Sequence, residues 1–124
     1  MIDFYELCGR VLQLDKSIRY VGIADHLGSL IAREYRRGLV PLSSREETEK
    51  YTRKAIRTTG AIQGGPRVGR LQYVIGRYEH LLRVTIPIIV SERQEKFYLM
   101  LSLDEGADII NMVEKKLFAM LPKT

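Results

Sequence analysis

Apolar side chains recur along this chain with two periods, and the switches between them divide it into eight elements. Phe4, Leu7, Cys8, Val11 and Leu12 repeat at helical spacing, which predicts a helix from about Asp3 to Leu14 with one buried stripe. Asp3 caps it, and Glu6 three residues on completes a capping-box pattern. Gly9 in its middle costs about 1 kcal/mol relative to alanine, so close packing against a sheet is expected there. Ile18 to Tyr35 reads as a β-hairpin with Asp25-His26-Leu27-Gly28 as its connection. Strand alternation puts Val21 and Ile23 on one face and Ile18, Tyr20 and Ala24 on the other. Both faces are apolar, which places this strand deep in a sheet.

A second helix follows Leu39-Val40-Pro41-Leu42. Ser43 with Glu46, or Ser44 with Glu47, forms its capping box, and Gly64-Gly65-Pro66 stops it after about Gln63. Its stripe of Thr48, Tyr51, Thr52, Ala55, Ile56 and Thr59 is narrow and holds few large apolar groups. Glu46–Lys50 and Glu49–Arg53 are favourable pairs four residues apart. Three strands come next: Arg70 to Tyr78, then Leu81 to Val90 after a tight Glu79-His80 connection, then Phe97 to Leu103 after a polar turn over Ser91–Lys96. The middle one carries Leu82, Val84, Ile86, Ile88 and Val90 at period two. Pro87 lacks a ladder donor, so that strand is locally a free edge or bulged. Asp104 is expected to cap a last helix running to about Leu121, where Pro122 ends it, with Ile109, Ile110, Val113, Leu117, Phe118 and Leu121 on its apolar face.

The order helix, strand, strand, helix, three strands, helix resembles that of the roadblock/dynein-light-chain domains, relatives of longin and profilin-like domains. The segment DHLGSLIA is similar to the roadblock hairpin, in which a glycine-containing turn separates two such strands. The segments LDKSIRYVGIADHLGSLIAREYRRGL and IGRYEHLLRVTIPI are also similar to small archaeal proteins, a likeness that brings no activity with it. The roadblock resemblance covers nearly the whole chain. It implies a single α/β (α+β) domain over residues 1–124, built on one five-stranded, mostly antiparallel sheet in the order 2-1-5-4-3. The first and last helices cover one face and the second helix the other. Family members dimerise through the second helix and the neighbouring edge strand, and many are platforms or regulators for small GTPases. Here those elements are Ser44–Gln63 and Arg70–Tyr78, with Tyr51, Ala55, Ile56, Thr59, Tyr73 and Val74 as the candidate self-association surface. A helix too poor in apolar groups for a core can complete its burial against a symmetry mate. Two features depart from the family pattern: the Gly- and Arg-rich segment Gly60–Gly69, and Pro87 in a strand that this order makes interior.

Length and composition fit one soluble domain with a single core: 124 residues, 45% hydrophobic and 28% charged. The N-terminus MIDFYELCGR is acidic and amphipathic, where a secretory signal is basic and then uniformly apolar. Cys8 is the sole cysteine. A cytoplasmic protein without a membrane span is the expectation. Charge changes the picture more. Residues 45–83 hold 9 basic and 4 acidic side chains, which accounts for the whole net charge of +5. Arg53 to Tyr78 holds no carboxylate. Such a block attracts acidic partners, with Arg53, Arg57, Arg67 and Arg70 as the candidate anion- or acidic-partner residues.

No catalytic set, metal site or cofactor motif emerges. His26 and His80 fall in turns, and neither pairs with Cys8 at ligand spacing. Asp104, Glu105 and Asp108 are explained as a helix cap and dipole complement, and Ser43 and Ser44 as caps. The loop Gln63 to Arg70 matches neither phosphate-loop signature and precedes a strand rather than a helix. Tyr73 and Tyr78 interleave with Arg70 and Arg77 but point to opposite faces of a strand, so they do not make one stacking platform for nucleic acid. The expectation is a non-enzymatic homodimeric interaction module whose partner is a small GTPase or another acidic protein. A PAS/profilin-like sensor holding a small molecule between helix and sheet, and nucleic-acid binding through residues 53–77, are the alternatives.

Overall fold

The structure, a computed structural model, describes residues 3–90 and 95–121. One antiparallel sheet organises them in the order β2-β1-β5-β4-β3. The first helix, α1 (Phe4–Leu12), starts where the Asp3 carboxylate accepts from the Tyr5 and Glu6 amides. Strands β1 (Ile18–Asp25) and β2 (Leu30–Tyr35) form the hairpin. In its turn the Asp25 carboxylate accepts from the Leu27 and Ser29 amides, and Gly28 takes φ +90°. A Cβ at Gly28 would also lie 3.3 Å from the Arg53 Cα, so the hairpin tip seats directly on the second helix. Gly9 meets the sheet in the same way, at the Glu34 carboxylate of β2.

The second helix, α2 (Arg45–Ala61), opens with the Ser44/Glu47 capping box. A one-turn helix α3 (Gly65–Val68) follows inside the Gly- and Arg-rich segment. The next strand, β3 (Val74–Arg77), is shorter than the predicted Arg70–Tyr78. It pairs with β4 (Leu81–Val90), which in turn pairs along its length with β5 (Glu95–Asp104). Of the polar turn expected over Ser91–Lys96, residues 91–94 lie outside the described residues, while Glu95 and Lys96 already belong to β5. Pro87 sits comfortably in an interior strand because β3 reaches only Thr85, leaving β4 without a ladder partner on that side at the proline. The last helical segment, residues 109–120, winds as α over Ile109–Asn111, as π over Met112–Leu117 and as α again over Phe118–Met120.

Helix α1 and the C-terminal helix cover one face. There Cys8, Val11, Val21, Ile23, Val84, Leu101, Leu103, Val113 and Leu117 form the main core. On the other face α2 packs over a smaller cluster of Ala24, Ile56, Tyr98 and Met100. Three expectations are corrected. Ile18 joins Val21 and Ile23 in the main core, because a register shift between Ile18 and Tyr20 turns it over. Ile110 is 56% exposed and Met112 is buried in its place, since an i→i+5 winding aligns Met112 with Leu117. Asp104 is not the helix cap. That role falls to Asp108, whose carboxylate accepts from the Asn111 amide. Asp104 instead accepts from Arg36 at 2.8 Å and Arg19 at 3.1 Å, tying the ends of β5, β2 and β1 together. The Arg36 hydrogen bond leads in holding its carboxyl below the usual range.

Candidate interaction surface

Helix α2 buries Thr52, Ile56 and Thr59 against its own sheet. Buried threonines are tolerated because their hydroxyls bond back along the helix, Thr52 to the Thr48 carbonyl at 2.8 Å and Thr59 to the Ala55 carbonyl at 2.7 Å. Ile56 and Thr59, two of the candidate self-association residues, turn inward in the single chain. Ile56 belongs to the protomer's own second core, on the side where Tyr98 and Met100 stand. Tyr51 and Ala55 are half-buried at the border of this layer, while Arg53, Lys54, Arg57 and Thr58 are exposed.

Beyond Tyr51 the layer thins toward β3. The Arg83 guanidinium lies 3.8 Å from the centre of the Tyr51 ring and 5.1 Å from that of Tyr78, and it donates to the Ser43 hydroxyl at 3.3 Å. Burial raises the Tyr51 hydroxyl above its ordinary pKa. Directly paired residues share a face, so Met100, Thr85 and Val74 form one row and Tyr98 and Pro87 the next. Thr85 is buried, whereas Val74, Gly76, Pro87 and Ile89 are half-buried. The result is a partly open apolar strip on the α2 side, next to the outer edge of β3, which has no strand partner among the described residues. Tyr73, just before β3, turns to the opposite side. Its hydroxyl donates to Glu114 at 3.0 Å and its ring packs on Phe118. Of the six candidate interface residues, Val74, Tyr51 and Ala55 border the strip, Ile56 and Thr59 lie beneath it, and Tyr73 lies behind it.

The basic candidates are all exposed, but they are not brought to one point. Arg53 and Arg57 occupy successive turns of α2, with Arg53 against the hairpin tip. Arg67 lies in α3 and Arg70 just beyond it. Gln63 ties this segment down, donating to the Thr59 carbonyl at 3.1 Å and accepting from the Leu71 amide at 3.3 Å. Arg83 and Asp104 were missed as organising residues. The alternation of β4 marks Arg83 as facing away from the main core, but its stacking on Tyr51 depends on a contact between distant elements. Asp104 looked like a cap because it stands just ahead of an apolar helical stripe.

His26 and His80 lie exposed in the β1–β2 and β3–β4 turns. Cys8 is fully buried, and burial followed by the Glu34 charge pushes its thiol up to about 12. Among the described residues no group of three His, Cys, Asp or Glu side chains can hold a metal ion, and no helix is long and apolar enough to cross a membrane. Between α2, the loop before it and the sheet lies a cavity of about 50 Å³, bordered by Tyr20, Leu39 and Thr52. That is room for a few waters.

No family model matches the sequence, and no curated protein matches it. Solved structures do match the fold. The gliding protein MglB from Thermus thermophilus superposes with a TM-score of 0.64 at 18% identity, over 86% of this chain and 75% of that one. The roadblock/LC7 domain from Streptomyces avermitilis gives 0.67 at 12% identity, over 94% and 91%. MglB in a tetrameric arrangement gives 0.64 at 19% identity, over 90% and 81%. The fold is therefore roadblock-like, as the order of elements implied.

Proposed function

We propose that this protein is a non-enzymatic, self-associating regulatory module that pairs through the α2 side and the β3 edge and engages an acidic protein partner, a small GTPase being the first candidate. The observation that carries the proposal is the uneven cover of the α2 face. One helix packs over β1, β5 and the near part of β4 but leaves Val74, Pro87 and Ile89 half-buried beside the edge of β3, which is unpaired among the described residues. A second copy related by a two-fold axis would extend the sheet edge to edge and cover that strip with its own α2. The tetrameric arrangement of one structural neighbour supports self-association as a property of this fold. The exposed arginines Arg53, Arg57, Arg67 and Arg70, spread along α2 and the segment after it, supply positive charge for the partner. Native mass spectrometry tests the assembly directly: a species of twice the chain mass supports it, and a single-chain mass at every concentration sampled refutes it. The small-molecule sensor is less well supported, because the helix–sheet cavity has room for a few waters and not for an organic ligand.

A further inference from the structure

The opposite edge of the sheet carries a second, chemically distinct surface. Strand β2 ends the sheet on that side, and among the described residues its only strand partner is β1. The Arg36 amide donates to the Arg19 carbonyl. Antiparallel alternation from that bond turns the Glu34 and Ala32 amides toward β1 and those of Tyr35 and Arg33 outward, up to the bulge at Ile31. A groove of about 460 Å³ follows this edge. Its α2 wall carries Arg33, Arg45 and Arg53, with Glu49 as the one carboxylate, and Arg45 is paired with Glu49 at 3.3 Å. Its other wall carries Tyr5, and Leu27 stands at the hairpin end, 67% and 75% exposed. Glu34 is exposed on the α1 side of β2, so acidic groups are disfavoured on that wall.

We propose that the β2 edge receives an extended segment of a partner protein by strand addition, with acidic side chains at alternate positions toward Arg33 and Arg53 and apolar ones between them toward Tyr5 and Leu27. Three features converge on this occupant: outward main-chain groups to pair with a strand, a cationic wall on one side, and exposed apolar groups on the other. The period-two geometry of an added strand sends alternate side chains to alternate walls, so the ligand pattern follows from the groove. The proposal does not depend on self-association through β3, which lies at the far end of the sheet.

The test is fluorescence anisotropy of a labelled peptide of alternating glutamate and valine, beside the same peptide with alternate main-chain amides N-methylated. The native protein is expected to bind the first peptide, more weakly as salt rises, and to lose about tenfold or more in affinity for the methylated one. The Arg33→Glu/Arg53→Glu variant should lose a similar factor, while Arg37→Glu/Lys115→Glu, with the same net charge, should change affinity less than about threefold. Methylation needs no change to the protein, so the proposal stays testable if a variant misfolds. Equal binding of the methylated peptide would overturn it, as would no binding at low salt. Self-association lost on reversing Arg33 and Arg53 would assign the edge to a second copy and overturn it equally.

Discussion

Replacing Ile56 by alanine separates a residue that folds the protomer from one that joins two of them. Ile56 is 6% exposed and packs among Ala24, Tyr98 and Met100, with Leu30, Tyr51 and Ala55 around them. Removing three carbons forfeits roughly 0.8 kcal/mol each in transfer free energy, and a residual cavity adds to that. The cluster is small and bordered by half-buried groups that can close in, so the cost belongs in the lower part of the usual range, about 2–3 kcal/mol. With a urea dependence of about 1–3 kcal/mol per molar, the unfolding midpoint should fall by roughly 0.7–3 M. The assay is urea unfolding followed by far-ultraviolet circular dichroism, with sedimentation of the same sample under native conditions. A midpoint unchanged within error, together with a loss of self-association, would refute the placement of Ile56 inside its own protomer. By the same logic Ile56→Glu tests folding rather than assembly, since it puts a carboxylate against Tyr98 and Met100.

Other consequences follow from single residues. Gly28→Ala should cost about 1–2 kcal/mol, because φ +90° strains an L side chain and the new methyl meets the α2 backbone at Arg53; thermal melting reads it. Asp15 accepts from Lys116 at 2.8 Å, the leading cause of a native pKa of about 2. A depressed carboxylate stabilises above its unfolded pKa and stops doing so as pH falls through the native one. Asp15→Asn should therefore cost up to about 1 kcal/mol near neutrality after solvent screening, and the difference from the native chain should shrink as the pH is lowered toward that native value. Cys8 should react with a thiol-disulfide reagent only at the rate of global unfolding, so addition of sub-denaturing urea should accelerate modification in step with unfolding.

Most of the fold was legible because its long elements carry local signals. The Asp25 turn, the Ser44 cap and the period-two run of β4 each depend on neighbours within a few residues. What failed was decided at long range. The phase of Ile18 depended on a register shift against β5, and Asp104 was taken from the helix by Arg19 and Arg36, far away in sequence. Arg70 to Gln72 have strand-like character, but β3 begins only where β4 offers a partner. The direction of α2 was the most consequential gap. Composition marked its stripe as thin but could not say that Thr52, Ile56 and Thr59 would take the inner side. The Arg83–Tyr51 stack joins residues on two elements, and no spacing within either one announces it.

The most direct measurement is sedimentation equilibrium of the native chain beside an Ala55→Arg/Val74→Arg variant. Both residues are half-buried at the border of the open strip, Ala55 against the rim of the second core, so the variant's circular dichroism spectrum is compared with the native one first. The native chain should sediment as a dimer or larger assembly, and the variant as a monomer at the same concentration. A monomeric native chain, or a well-folded variant that assembles as the native chain does, would contradict pairing through α2 and β3.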